Sequence, residues 1–278
     1  MTILRLSRMF ILSIALASMG CASTEDGGDG GNAGEGGAGS GGTGGQGGVG
    51  GVGGVGGVGG VGGVGGAGGQ AGASGLVAYY PFNGNAQDES GNGNDGSAVG
   101  GAALAMDRFG SADSAYQLDG TSGYIEVPDS PDFDFNQPIT VTAWVYLNDN
   151  TSASIVGQWG PGGFGGDAFV LSVRSGKLKF TLPRPGLYEL DSQSTLTEME
   201  WLFVGVVYDG ADVKLFINGV QDASDTFAAA QVDSDQPVRI GLEQIISGDA
   251  AYLDGLVDDV RIYNRALSDL EIEQLSQP

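Results

Sequence analysis

Short apolar stretches alternate with polar clusters along the chain from residue 76 to the C-terminus. The stretches are rich in Val, Ile, Tyr, Phe and Trp, and the clusters between them are rich in Gly, Asn, Asp and Pro. This spacing is typical of an all-β sandwich, in which short strands are joined by tight turns. The pattern predicts strands at residues 76–82, 124–127, 139–147, 154–158, 168–174, 177–182, 201–208, 213–217, 238–242 and 256–263.

Several turns between these strands are legible in the sequence. Ser175–Gly176 predicts a tight connection and Asp209–Gly210 starts another. Asn218–Gly219 predicts a type I′ hairpin turn, because both residues tolerate positive φ. One helix is predicted, at the C-terminus, where Ser268 and Glu271 match a capping box ahead of a short apolar face.

The N-terminus has the three-part pattern of a secretory signal peptide. Two arginines precede an apolar run at residues 9–17, which is too short to span a bilayer, and small residues follow. Residues 18–21 resemble a bacterial lipobox, although that motif usually has Leu where Ser18 stands. The resemblance implies that Cys21 is lipidated, and Ala22 after it implies sorting to the outer membrane. The alternative is cleavage after Ala17 in an A-x-A site, which would give a secreted protein.

Residues 22–74 form a glycine-rich segment of low complexity. Valine recurs at every third residue from Val49 to Val64, but the segment lacks the proline on which a collagen helix relies. Ordering glycine costs backbone entropy that no large side chain offsets, so we expect a disordered tether. The sequence therefore divides into a signal peptide at 1–21, a tether at 22–74 and one domain at 75–278, long enough for a core without disulfides.

The charge of the chain limits its partners. It has 34 acidic and 11 basic residues, a net charge of −23, which repels phosphate backbones and makes nucleic acid a poor partner. Divalent cations and neutral ligands such as sugars remain compatible with this charge. The chain has no His and only one Cys. These counts exclude Ser-His-Asp and Cys-His catalysis, His-ligated metal sites and an internal disulfide.

Several longer segments together carry a family resemblance. They are GLVAYYPFNGNAQDESGNGNDG at 75–96, AYQLDGTSGYIEVPDS at 115–130, PITVTAWVY at 138–146, WLFVGVVYDGADVKLFINGV at 201–220, PVRIG at 237–241 and GLVDDVRIYNRALSDLEIEQL at 255–275. In this order they resemble the laminin-G-like, concanavalin A-like lectin/glucanase domains of bacteria. The resemblance implies a two-sheet antiparallel jelly-roll sandwich in which the first and last strands lie close together and protect sheet edges.

Calcium is the first candidate ligand. The loop at 88–96 packs carboxylates, amides and glycine-freed carbonyls together, which suits a hard cation, although its spacing is not that of an EF-hand. In related domains such a loop and the aspartates of the last strand share a structural metal. The resemblance therefore implies a Ca²⁺ site formed by Asp88, Asn94 and Asp258.

The position of Asp258 bears on this prediction. If Val260 and Ile262 face the core, a period of two places Asp258 on the core side as well, where a lone carboxylate would be costly without a cation or a hydrogen-bond network. The alternative is that the loop forms only a turn, and that Asp258 or Asp259 pairs with Arg261 or the backbone.

A carbohydrate-binding surface is the second candidate. Trp159 and Phe164 lie among glycines in the loop at 157–166, and Arg184 and Tyr188 follow in another loop. Aromatic faces with polar neighbours suit the stacking of sugars, so these four residues are candidate ligand contacts. The alternative is that the aromatic side chains cover the core.

Catalysis is the third possibility, because the same sandwich occurs in glucanases with an E-x-D-x-x-E strand. The nearest match here begins at Glu189 and Asp191, but its sixth position is Ser194, so the second catalytic carboxylate is missing. The sequence therefore predicts a lipid-anchored, non-catalytic cell-surface module that binds glycans or a surface protein. The alternative is a structural or adhesive envelope protein without a small ligand.

Overall fold

The computed structural model of the chain describes residues 74–134, 138–159, 168–182, 187–228, 234–244 and 250–277. Within these ranges the chain forms two large antiparallel sheets and a two-stranded hairpin. The sandwich that the strand spacing predicts is therefore confirmed. In the same ranges, no helix has the length and apolar character needed to cross a membrane.

Sheet A contains the first and the last strand of the domain. Its strands are β1 (Leu76–Tyr80), β3 (Ala103–Ala105), β4 (Ala115–Asp119), β6 (Ile139–Leu147), β11 (Trp201–Tyr208), β12 (Asp212–Ile217), β13 (Val220–Thr226) and β17 (Asp254–Tyr263). They lie in the order β13-β12-β11-β6-β17-β4-β3, and β1 pairs with the second half of β17. The first and last strands are neighbours, as the family resemblance implies.

Sheet B lies against sheet A. Its strands are β2 (Ser97–Val99), β5 (Tyr124–Val127), β7 (Ser152–Gln158), β8 (Phe169–Arg174), β9 (Lys177–Leu182), β10 (Tyr188–Asp191) and β14 (Val238–Ile240), in the order β10-β9-β8-β7-β14-β5-β2. A hairpin of β15 (Leu242–Gln244) and β16 (Ala250–Tyr252) contacts β7. The prediction of one strand over 238–242 is wrong, because Gly241 has a φ of +88° and separates β14 from β15.

The core lies between the two sheets and consists of alternate residues from both. Phe169, Phe180 and Ile125 of sheet B are fully buried in it, as are Val204 and Ile262 of sheet A. This alternation is what a strand with one buried and one outward face requires.

A second apolar cluster covers part of the outer face of sheet A. It contains Trp144, Phe203, Phe216 and Tyr263, together with Ile272 of the C-terminal helix α1 (Asp269–Leu275). The helix begins at the predicted residue, since the side chain of Ser268 accepts from the backbone of Glu271 and the Glu271 side chain reaches back. The capping box is therefore confirmed.

The predicted hairpin turns are present. Ser175 and Gly176 have φ values of +51° and +77°, and Asn218 and Gly219 have +50° and +79°. Two successive positive φ values are those of a type I′ turn, whose twist matches that of the flanking strands. A short 3₁₀ turn, Pro131–Phe133, buries Phe133 against the core.

Candidate functional site

The outer face of sheet B carries polar side chains across its strands. Their neighbours along each strand, such as Ile125, Phe180 and Ile240, belong to the core, so alternation turns the polar residues outward. We call this surface the polar face. It comprises Tyr124, Glu126, Ser154, Ser172, Arg174, Lys179, Thr181, Glu189, Asp191 and Arg239.

Ion pairs hold the charged groups of the polar face in place. Arg239 Nε lies 3.1 Å from Glu126 Oε2, and these two residues are direct cross-strand partners. Lys179 Nζ lies 2.9 Å from Glu189 Oε2 and 3.4 Å from Asp191 Oδ1. Burial alone would lower the pKa of Lys179, but Glu189 and Asp191 raise it above its ordinary value, so Lys179 stays protonated at neutral pH.

Arg174 anchors the hairpin to this face. Its guanidinium pairs with Glu243 of β15 and also donates to the carbonyl of Ala153, at 3.2 Å. Each of the bases Arg174, Lys179 and Arg239 thus has an acidic partner. The polar face is therefore close to neutral, although the whole chain has a net charge of −23.

Trp159 directly follows β7 at the end of the polar face. It is buried, with 6% of its surface exposed, yet it belongs to neither apolar cluster. Its carbonyl oxygen accepts a hydrogen bond of 2.9 Å from Arg239 Nη1. Among the residues that the structure describes, the indole Nε1 of Trp159 and the hydroxyl of Ser154 have no hydrogen-bond partner. Buried polar groups are normally paired, so an ordered water is the expected partner of these two atoms.

Two tyrosines that the sequence analysis did not single out, Tyr124 and Tyr252, lie together at the polar face. Tyr124 precedes Glu126 by two residues in β5, and its ring centroid is 6.5 Å from that of Tyr252 in β16. Burial raises the pKa of Tyr124, so its hydroxyl remains neutral at physiological pH and can donate a hydrogen bond. A period of two from Glu126 could have placed Tyr124 on this face. No sequence signal could have placed Tyr252 on this face, since only the packing of the β15–β16 hairpin brings it beside Tyr124.

Tyr188 lies on the opposite side of sheet B from the polar face. It packs against the core, and its ring stacks on that of Phe227 with a centroid distance of 4.0 Å. Burial and the Asp225 carboxylate raise the pKa of Tyr188 to about 12. Of the predicted ligand contacts, the structure thus places Trp159 at the polar face and Tyr188 beneath it. Phe164, Arg184 and the lipidation candidate Cys21 lie outside the described residues.

The acidic residues of the glucanase-like segment share one lysine. Glu189 and Asp191 both contact Lys179, with side-chain exposures of 43% and 53%. Glycoside hydrolysis needs a carboxyl group that stays protonated opposite one that is ionised. Here both acids contact the same lysine, and Ser194 stands where the glucanase pattern has its second Glu.

The loop at 88–96 is fastened to β1 by hydrogen bonds. The carboxylate of Asp88 accepts from the backbone N–H groups of Tyr79, Ser90, Gly93 and Asn94 at 2.8–3.1 Å. Asn94 is buried, and its amide donates to the carbonyl of Val77 at 3.0 Å. The oxygens of Asp88 are therefore oriented towards N–H donors of the loop and of β1.

Asp258 lies on the other side of sheet A from the predicted position. The pairing of β17 with β6 shifts register after Asp258, and Asp259 at this bulge has a φ of +48°. The extra residue reverses the alternation, so Val257 and Val260 both face the core while Asp258 lies opposite Trp144. The expectation of a core-facing Asp258 is therefore wrong.

The three residues proposed for calcium bind separate partners in the structure. Asp258 contacts the guanidinium of Arg108, whereas Asp88 and Asn94 bond to β1 and their own loop. As found, they do not fit a calcium ion shared between them. In the described part of the chain, no three His, Cys, Asp or Glu side chains are grouped to hold a metal ion. Calcium binding stays a prediction.

Comparison with known proteins agrees with this architecture. A family model described as the concanavalin A-like lectin/glucanases superfamily matches residues 119–273. No curated protein sequence matches the chain. Domain 4 of AbnA, an extracellular GH43 arabinanase from Geobacillus stearothermophilus solved with arabinotriose, is 25% identical, with a TM-score of 0.54 over 73% of this chain and 98% of that domain.

Two binding domains share the fold. The receptor-binding domain of a botulinum neurotoxin C/D mosaic serotype is 16% identical, with a TM-score of 0.57 over 73% of this chain and 51% of that one. The binding domain of Paraclostridial Mosquitocidal Protein 1 is 18% identical, with a TM-score of 0.58 over 73% of this chain and 52% of that one. The chain thus spans about half the length of these two structures.

Proposed function

Because the chain belongs to the concanavalin A-like lectin/glucanases superfamily, we propose that its sandwich is a non-catalytic recognition module that binds carbohydrate through the polar face of sheet B. The fold alone does not select this function, since sandwiches of this kind serve unrelated purposes. The proposal therefore rests on what the polar face offers to a ligand.

The observation that carries the proposal is the combination of fixed polar groups and aromatic rings on one surface. Arg239 and Glu126 present a donor and an acceptor held 3.1 Å apart, and Tyr124 adds a ring and a neutral hydroxyl. Trp159 lies at the end of this surface, and its carbonyl oxygen accepts a hydrogen bond from Arg239. Sugars carry hydroxyl groups that both donate and accept hydrogen bonds, next to apolar ring faces, so this surface matches their chemistry.

One comparison and one contact within the chain support binding without catalysis. The arabinanase domain of similar fold was solved with arabinotriose, which makes arabino-oligosaccharides the first ligands to test. The acids nearest to a glucanase pair, Glu189 and Asp191, are both engaged by Lys179. We therefore propose that glycans are bound and left intact.

The proposed location completes this function. A lipid on Cys21 and a glycine-rich tether would hold the domain at the outer membrane or cell surface, within reach of glycans or surface proteins. Unchanged membrane association of Cys21→Ala would contradict the lipid anchor and support the secreted alternative.

A glycan array probed with the full chain tests the proposal, with arabino-oligosaccharides included. We expect binding to a defined set of glycans, weakened about 10–100-fold by Arg239→Gln, because a charged hydrogen bond is lost. Tyr124→Phe should weaken it less, since only one hydroxyl is removed. Arg265→Gln is the matched control, because Arg265 is also ion-paired but packs beside the C-terminal helix.

Three results would count against the proposal. Silence across the array, together with capture of a surface protein, would favour the adhesive alternative. Glycan binding that Arg239→Gln and Tyr124→Phe both leave unchanged would move the site away from the polar face. Hydrolysis of a bound glycan that is lost in Glu189→Gln would show an enzyme.

A further inference from the structure

A buried cluster of charges lies on the outer face of sheet A, on the other side of the sandwich from the polar face. Arg108, in the loop between β3 and β4, sends its guanidinium onto β17 and has 11% of its side chain exposed. Its Nη1 contacts Asp258 Oδ2, and its Nη2 lies 2.5 Å from Asp259 Oδ2. One guanidinium thus bridges two successive carboxylates.

Two aromatic rings contact this guanidinium. Arg108 Cζ lies 4.7 Å from the ring centroid of Trp144 and 4.4 Å from that of Phe109. These distances are those of cation–π contacts, which gain strength when the cation is withdrawn from water. The arrangement suits a planar, weakly hydrated guanidinium and would not suit a strongly hydrated metal ion.

The two carboxylates differ in the number of other side chains that bind them. Asp259 also accepts 2.6 Å from the Tyr79 hydroxyl and lies 3.2 Å from Arg261 Nη2. Asp258 has Arg108 as its only cationic partner among the described residues, and 3% of its side chain is exposed. Burial and the Asp259 carboxylate raise the pKa of Asp258 to about 7 even beside Arg108, so removing Arg108 would leave a buried carboxyl without a cation that must take up a proton.

The bulge in β17 places two carboxylates next to each other, and a cation between them offsets their repulsion. A single extra residue at a φ of +48° turns Asp258 and Asp259 towards the same guanidinium. A non-glycine residue at positive φ is strained, so the conformation must be held by its contacts. Arg108 makes such a contact with both residues at once.

We propose that Arg108 supplies, from within the chain, the positive charge that the family resemblance assigns to a calcium ion at Asp258, so that the last strand binds no divalent cation. The guanidinium occupies the approach to both carboxylates, and a second cation beside it would be repelled. This inference concerns the stability of the sandwich and is independent of the proposed glycan binding.

The test compares melting temperatures of the full chain and its variants in millimolar CaCl₂ and in EDTA. We expect Arg108→Gln to melt about 6–20 °C lower, as for other broken buried ion pairs in domains of this size. Lys214→Gln is the control, since Lys214 makes an exposed pair with Asp269 and should shift melting by only about 2–4 °C or less. Asp258→Asn in the Arg108→Gln background should recover part of the loss.

Chemical rescue gives the second readout. An alkylguanidinium at millimolar concentration should raise the melting temperature of Arg108→Ala and leave that of the parent unchanged. If Arg108→Ala does not fold, Arg108→Lys replaces it, and should melt between the parent and Arg108→Gln, because an ammonium lacks the planar fork.

Two outcomes would overturn the inference. The first is a calcium-dependent rise in the melting temperature of the parent that Asp258→Asn abolishes, which would show that a metal does bind there. The second is an Arg108→Gln variant as stable as the Lys214→Gln control.

Discussion

Gly255 is the position where adding one methyl group should harm the fold most. It lies in β17 between Leu118 of β4 and Leu147 of β6, in the middle of sheet A, with a φ of +155°. A Cβ atom built there would lie 1.9 Å from the carbonyl oxygen of Tyr146. That oxygen belongs to the backbone of β6, so it cannot move away without displacing a strand paired on both sides.

The cost of Gly255→Ala follows from these two observations. Overpacking in a tight interior costs about 1–3 kcal/mol, and holding a non-glycine residue in this region of φ costs about 1–3 kcal/mol more. Alanine also lowers the conformational entropy of the unfolded chain, which offsets about 0.4–1 kcal/mol of this destabilisation. We therefore expect a net loss of about 2–5 kcal/mol, which lowers the melting temperature of a domain of this size by about 4–20 °C.

Gly205→Ala is the matched control for this measurement. Gly205 lies in β11 of the same sheet, and the nearest contact for a built Cβ is the Thr142 methyl group at 3.3 Å, which is a side-chain atom near van der Waals distance. We expect its melting temperature to change by less than about 4 °C. Thermal unfolding followed by circular dichroism gives both numbers. Equal shifts for the two variants would refute the argument from the Tyr146 contact.

Three further predictions concern stability. Phe180→Ala should lower the free energy of unfolding by about 3–5 kcal/mol, because it empties a fully buried core position. Leu270→Ala, at a position that is 61% exposed, should change it little. Urea unfolding measures both variants. Ser268→Ala should cost about 1 kcal/mol, because the N-cap of α1 loses its side-chain acceptor; a loss in urea unfolding no larger than that of Leu270→Ala would contradict it. The Arg265 guanidinium, aided by the Ser268 backbone N–H, lowers the pKa of Glu271 from 4.5 to about 2. The ionised Glu271 therefore stabilises the fold at pH values above 4.5, and this stabilisation is lost as the pH falls towards 2. Glu271→Gln should flatten the melting temperature over that pH range, and an unchanged slope would contradict it.

The sequence by itself determined the features that depend on neighbouring residues. Alternating apolar residues predict the strands because side chains of a strand point to opposite faces, and the structure has strands at these places, such as β6 and β11. Asn218–Gly219 and the Ser268 capping box were also predictable, because the φ preferences and side-chain bonds that form them lie within a few residues.

The tertiary structure alone decided the features that depend on cross-strand pairing. A period of two placed Asp258 on the core side, but a bulge against β6 reversed the alternation, and no local signal marks an extra residue in a strand. Arg108 reaches Asp258 across 150 residues of sequence, and the hairpin brings Tyr252 beside Tyr124. Such partners follow from the order and register of strands in the sheets, which single-strand patterns do not encode.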